Sequence, residues 1–129
     1  MINCGKILIV EDDREVRNFL IEALREESCD VVAAVDAEEA LEVLTPDIMV
    51  MFLDLKLPGE MNGIKLCRKI REKHPTACIY AMTGHSTLFE LADCREAGFD
   101  DYFTKPIKIE TLHMAVEQAF DRIERWRSK

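Results

Sequence analysis

The chain lacks any long hydrophobic run: nothing in it approaches the roughly 18 apolar residues of a membrane span, and Met1 to Lys6 hold no signal-peptide core. A membrane association is therefore not expected, and a cytoplasmic protein is. The chain also lacks basic excess, with 17 Lys and Arg against 25 Asp and Glu and a formal net charge of -8. Such a balance opposes a phosphate backbone, so direct nucleic-acid binding is not expected either. Close cysteine pairs are missing: Cys4, Cys29, Cys67, Cys78 and Cys94 are odd in number, and none makes the C-x-x-C spacing of a zinc or redox site. They read as reduced thiols. With 129 residues there is room for one domain, its core spanning about 5–125, and none for a second.

What is present is ordered alternation. Lys6 to Val10 is a short apolar run, and four segments resemble it: Val31 to Val35, Ile48 to Leu53, Cys78 to Met82 and the weaker Asp101 to Thr104. Such runs suit strands buried on both faces. Helical patterns lie between them, the first carrying Val16, Phe19, Leu20, Ala23 and Leu24, the last Leu112, Val116, Ala119, Phe120 and Ile123. Asp36 with Glu39, and Thr87 with Glu90, have the spacing of capping boxes. Pro46 and Pro75 follow the second and third helices, and Gly98 stands where a fourth needs a left-handed cap. Ile123 and Trp126 read as finishing a packing face.

Five strand–helix units predict an α/β fold, a doubly wound five-stranded parallel sheet of flavodoxin-like type in the order 2-1-3-4-5. In that order the ligand crevice lies at the carboxyl ends of the first and third strands. The first strand runs into Glu11-Asp12-Asp13 and the third into Asp54. Carboxylates crowded at one edge repel, and a hard cation such as Mg2+ relieves that cost. The triplet alone could simply favour the start of the first helix, a role that suits Asp13. Asp54 has no helix directly after it, which argues for chemistry. The fourth strand ends in Thr83-Gly84 and the fifth leads to Lys105-Pro106, adding a hydroxyl and an ammonium to the same edge. Phosphoryl transfer requires such donors and positive charge around the equatorial oxygens.

With these residues placed, the sequence resembles the response-regulator receiver family from Lys6 to about Arg125. The resemblance rests on Ile7-Leu-Ile-Val-Glu-Asp-Asp13, Leu53-Asp-Leu-Lys-Leu-Pro58, Met82-Thr-Gly84 and Gly98-Phe-Asp-Asp-Tyr-Phe-Thr-Lys-Pro106. It implies a CheY-like switch of two-component signalling in which Asp54 accepts a phosphoryl group from a phosphohistidine of a sensor histidine kinase or histidine phosphotransfer protein. The family's acidic pair aligns with Glu11 and Asp12. Mg2+, for which Mn2+ can substitute, would be held by Asp12, Asp54 and the Lys56 carbonyl, with Glu11 acting through water. Thr83 and Lys105 would contact the phosphoryl oxygens, and Tyr102 would be the aromatic that moves with Thr83. A cis Lys105-Pro106 bond is also implied. The protein would be no enzyme on other substrates; it would catalyse its own phosphorylation and dephosphorylation. The signal would leave by the fourth helix, fifth strand and fifth helix, toward an output partner or domain the sequence does not name.

Two features depart from the family pattern. The segment Pro58-Gly-Glu-Met-Asn-Gly63 is one residue longer than usual. Lys56 and His85 occupy the variable positions two after the acceptor and two after the threonine, and neither readily orients an attacking water, so a long-lived phosphoaspartate is expected. His74 and His113 read as helix-surface or linker residues. Three other functions suit the residues less well. A flavin-mononucleotide carrier would find its phosphate repelled by Glu11-Asp12-Asp13; a phosphohydrolase would want an acid where Lys56 stands; an interaction module without phosphorylation would not need Asp12, Asp54, Thr83 and Lys105 together.

Overall fold

The computed structural model describes residues 5–84 and 87–127, and Cys4 and His85 lie outside them. Its elements are β1 (Lys6–Val10), α1 (Arg14–Arg25), β2 (Asp30–Ala34), α2 (Ala37–Val43), β3 (Ile48–Asp54), α3 (Gly63–Lys73), β4 (Cys78–Thr83), α4 (Leu88–Ala97), β5 (Asp101–Thr104) and α5 (Ile109–Arg127). The strands form one parallel sheet in the order β2-β1-β3-β4-β5, as the alternation predicted.

Strand periodicity divides the core in two. Leu8, Val10, Met51, Leu53, Ile79 and Ala81 face one side with Leu66, Cys67 and Ile70 of α3 and Cys94 of α4. Ile7, Ile9, Val50, Phe52, Tyr80 and Met82 face the other with Leu20 and Leu24 of α1 and Leu112 and Val116 of α5. Side chains that alternate along a strand fill both faces only if helices cover both, which is what the parallel crossovers provide. Burial on both faces holds for β1, β3 and β4 but not for β2 and β5, whose residues are mostly part-exposed. Those two are the sheet edges, where only one neighbouring strand shields the chain.

The stops and starts follow local chemistry. Asp13, Asp36, Asn62 and Thr87 each accept the backbone N–H three residues on. Gly98 ends α4 at φ 105°, a left-handed cap that a Cβ would strain. The capping boxes form only in half: Glu39 accepts from Val35 N rather than from Asp36 N, and the Glu90 carboxylate turns toward Thr83.

Arg71, at the end of α3, donates to Gly98 O and Ala77 O and pairs with Asp100 at 2.8 Å, and Asp100 also accepts from Ile79 N. This fastens α3, β4 and the α4–β5 turn at the end of the sheet opposite the acidic edge.

Several side chains depart from the sequence reading. Phe19 is 43% and Trp126 71% exposed, so Ile123 finishes the α5 face without Trp126. His113 is no plain surface residue: it joins α5 to the end of α1, with Nε2 2.8 Å from Ala23 O and Nδ1 3.1 Å from Glu27. Cys67, Cys78 and Cys94 are free and buried, and burial pushes the Cys67 thiol up to about 12. Cys29 is disulfide-bonded, which corrects the expectation of five reduced thiols. Spacing along the chain does not reveal which thiols the fold brings together.

Candidate functional site

Register alone assembles the site. Val10 pairs with Leu53, so the next residues, Glu11 and Asp54, leave the sheet side by side. Asp54 pairs with Met82 and Thr83 with Thr104, which carries Thr83 and Lys105 to the same edge. Backbone bonds continue past the strand ends, from Glu11 N to Ala34 O, Leu55 N to Met82 O and Lys105 N to Thr83 O at 2.8 Å. The chemical groups thus hang from fixed backbone rather than from free loops.

Glu11, Asp12 and Asp54 each place a carboxylate oxygen within 4.8 Å of the others. Asp13 is apart from this group, capping α1 through Val16 N at 3.1 Å, which supports aligning the acidic pair with Glu11 and Asp12. Lys105 Nζ lies 2.9 Å from Asp54 Oδ2 and 2.5 Å from Glu11 Oε1. Burial alone would lower the ammonium's pKa, but its hydrogen bonds and charge contacts with Glu11 and Asp54 outweigh that and raise it. Glu11 is fully buried; desolvation raises its carboxyl above the ordinary range, against the lowering pull of Lys105 and the Asp13 N–H. Its Oε1 is held by Lys105 Nζ. The converging carboxylates of Glu11, Asp12 and Asp54 make an all-oxygen donor set, which fits Mg2+, a cation that binds through one or two carboxylates and waters.

The other groups complete the edge. Asp54 Oδ1 accepts from Lys56 N at 3.1 Å, which fixes the carboxylate plane and turns the Lys56 backbone toward the cluster. Thr83 is 3% exposed, and its hydroxyl donates to Glu90 Oε1 at 3.2 Å. Tyr102, on the edge strand, is 41% exposed, while Phe103 points into the core against Tyr80 and Phe52. The Lys105-Pro106 bond is cis.

Three supports escaped the sequence reading. Arg17 Nη1 donates to the backbone carbonyls of Glu11 at 3.0 Å and Asp12 at 3.3 Å, so α1 holds the loop that carries the acids. The signal is one of three Arg residues on an amphipathic helix, which solvation explains equally well. The sequence shows Glu90 only as half of a capping box with Thr87. Gly63 packs on Asp54 itself: a Cβ there would stand 2.2 Å from Asp54 O, and Gly63 N donates to Leu55 O at 3.0 Å. The longer loop from Pro58 therefore still returns the chain to Asp54, turning at Gly59 with φ 91°.

Two outcomes follow from this packing. Gly63→Ala forces backbone against backbone and should cost about 2–3 kcal/mol in urea unfolding; an unchanged midpoint would contradict the contact. The folded state raises the Glu11 pKa, so the stability this residue contributes is present below the unfolded value of 4.5 and is lost as pH rises through the folded one. Without divalent cations at neutral pH, Glu11→Gln should therefore raise the melting temperature by about 2–4 °C. That gain should shrink toward pH 4.5 and be offset when Mg2+ is added to the wild type. A variant that melts lower at every pH would contradict this.

The family model described as response regulator receiver domain matches residues 7–117. Among curated proteins, the chain is 38% identical over 102 residues to the transcriptional regulatory protein CpxR of Escherichia coli, covering 79% of this chain and 43% of that one. The chain spans about half the length, or less, of the curated relatives it matches. Among solved structures, a CheY-like receiver domain protein from Methanospirillum hungatei superposes with a TM-score of 0.88 at 27% identity, covering 95% of this chain and 98% of that one. The BeF3-activated DrrB receiver domain superposes with a TM-score of 0.83 at 29% identity, covering 92% and 98%. Together with the flavodoxin-like sheet and its edge of acid, hydroxyl and ammonium, these matches establish that the chain belongs to the response regulator receiver domain family.

Proposed function

We propose that the chain is a phosphoacceptor switch in which Asp54 takes a phosphoryl group from a phosphohistidine of a sensor kinase or phosphotransfer protein. The observation that carries this reading is the contact of Lys105 Nζ with Asp54 Oδ2 at 2.9 Å beside the oxygens of Glu11 and Asp12. One nucleophilic carboxylate thus sits between a fixed cation and a cluster suited to a second one.

The Asp54 carboxylate attacks phosphorus in line, the phosphorus–nitrogen bond to the donor imidazole breaks, and an acyl phosphate forms. Mg2+, or Mn2+ in its place, would be held by Asp12, Asp54 and the Lys56 carbonyl, with Glu11 through water, and supplies neutralising charge to the transferred oxygens. Lys105 exchanges its bond to Asp54 for one to a phosphoryl oxygen. The Lys56 N–H keeps the carboxylate oriented during attack. Thr83 turns its hydroxyl to another phosphoryl oxygen, and Tyr102 follows it inward from its half-exposed position. The phosphoryl charge favours one of two arrangements of the α4-β5-α5 surface, by no more than the differential contacts allow.

A groove of about 480 Å3 between α1 and the start of α5, lined by Val16, Phe19, Leu20, Pro106 and Ile107 and bordered by Lys105, opens beside this site. Its apolar floor and the exposed ring of Phe19 suit the helical surface that presents a donor histidine.

Incubated with acetyl phosphate and Mg2+, the chain should gain the mass of one phosphoryl group. Asp54→Asn should gain none, chelation of the cation should stop the reaction, and Lys105→Ala should slow it about 100-fold. Phosphorylation of Asp54→Asn at the wild-type rate would overturn the assignment. Lys56 and His85, the latter outside the described residues, carry neither a carboxylate nor an amide with which to orient an attacking water. The phosphoaspartate should therefore outlast that of a Lys56→Asn, His85→Glu variant, and an equal or shorter lifetime would contradict it.

A further inference from the structure

The hydroxyl of Thr83 carries a single proton, and in this structure that proton is directed at a carboxylate on another element. Thr83 Oγ1 donates to Glu90 Oε1 at 3.2 Å, from the end of β4 to the first turn of α4. The threonine is 3% exposed, so water does not readily take over either half of the bond. Thr87 caps the same turn through Glu90 N at 3.1 Å, which fixes the backbone of Glu90 while leaving its side chain free to point to the site. A phosphoryl oxygen is an acceptor and a carboxylate oxygen is an acceptor, and one hydroxyl proton serves one of them at a time.

We infer that Glu90 is a latch: its carboxylate holds the Thr83 hydroxyl and the start of α4 in the unphosphorylated arrangement, in direct competition with the phosphoryl group. This rests on the reading of Asp54 as phosphoacceptor and deepens it by naming the group that opposes activation. The competition has a second component, since an anionic side chain beside Thr83 disfavours a second anion on the same hydroxyl. It also supplies the link from site to surface. Among the described side chains of α4, only Cys94 and Ala97 are buried, both in its second half, whereas Leu88 is 85% exposed. A hydrogen bond to a charged group is among the stronger single ties that a first turn can make to the strand before it. When Thr83 leaves Glu90 for the phosphate, the first turn of α4 loses that tie.

The latch is tested with the full chain, Mg2+ at saturation and beryllofluoride as the phosphoryl mimic, titrated by calorimetry. Glu90→Ala should bind beryllofluoride about tenfold tighter than wild type, a change of about 1.4 kcal/mol, with Glu90→Gln between them. Affinity for Mg2+ alone should not change, because Thr83 is outside the cation cluster. In a Thr83→Ala background the gain from Glu90→Ala should vanish, since no hydroxyl remains to release. An equal or weaker affinity in Glu90→Ala and Glu90→Gln overturns the latch, and so does a gain of the same size without Thr83, which would be bulk charge removal. If wild type and variants all fail to bind beryllofluoride, the phosphoacceptor reading falls and the latch with it. Glu90→Gln keeps the size of the side chain, so the comparison survives if Glu90→Ala loosens α4.

Discussion

Everything in this molecule depends on forcing like charges together and placing one amine between them. The parallel pairing of β1 with β3 leaves Glu11 and Asp54 no choice but to emerge as neighbours, because the strands that deliver them are buried on both faces over nearly their whole length, which fixes their register. Lys105, delivered by β5 from two strands away, bridges the two acids and offsets part of their repulsion. Burial still holds the Glu11 carboxyl above its ordinary range. On the proposed reading, a cation added at this edge relieves the crowding of the acids and prepares Asp54 to meet a phosphate.

The same economy of parts links chemistry to signalling. The groups around Asp54 come from four strands, and among them Thr83 reaches out to the first turn of α4. The rigid half of the fold, fastened at its far end by Arg71 and Asp100, keeps the reacting atoms in place. On the proposed reading, the start of α4 is where a sub-ångström change at the Thr83 hydroxyl alters a surface, since packed cores shift between discrete arrangements rather than bending.

Much of this was legible in the residue order. Apolar runs ending in Glu11, Asp54, Thr83 and Lys105 gave strand ends, and strand ends in a doubly wound sheet converge by topology, so the edge could be written down before any distance was known. What was hidden involves side chains that choose among partners. Glu90 had the right spacing to complete a capping box, and only three-dimensional proximity reveals that the Thr83 hydroxyl is the better donor. Arg17 resembles any solvated helix charge until its reach to the Glu11 and Asp12 carbonyls is seen. Edge position, not composition, decided that β2 and β5 stay part-exposed. By its spacing from Ile123, Trp126 reads as finishing the α5 packing face, yet it is exposed where Ile123 is buried.

The account's central claim is that one pocket accepts both a divalent cation and a phosphoryl group around Asp54. A crystal structure of the chain grown with Mg2+ and beryllofluoride tests it most directly. The account predicts the cation bound to Asp12 and Asp54, the fluoride adduct on Asp54, and Lys105 moved from the Asp54 carboxylate to fluoride. A Lys105–Asp54 ion pair left intact, with the cation or the adduct bound elsewhere, would contradict it.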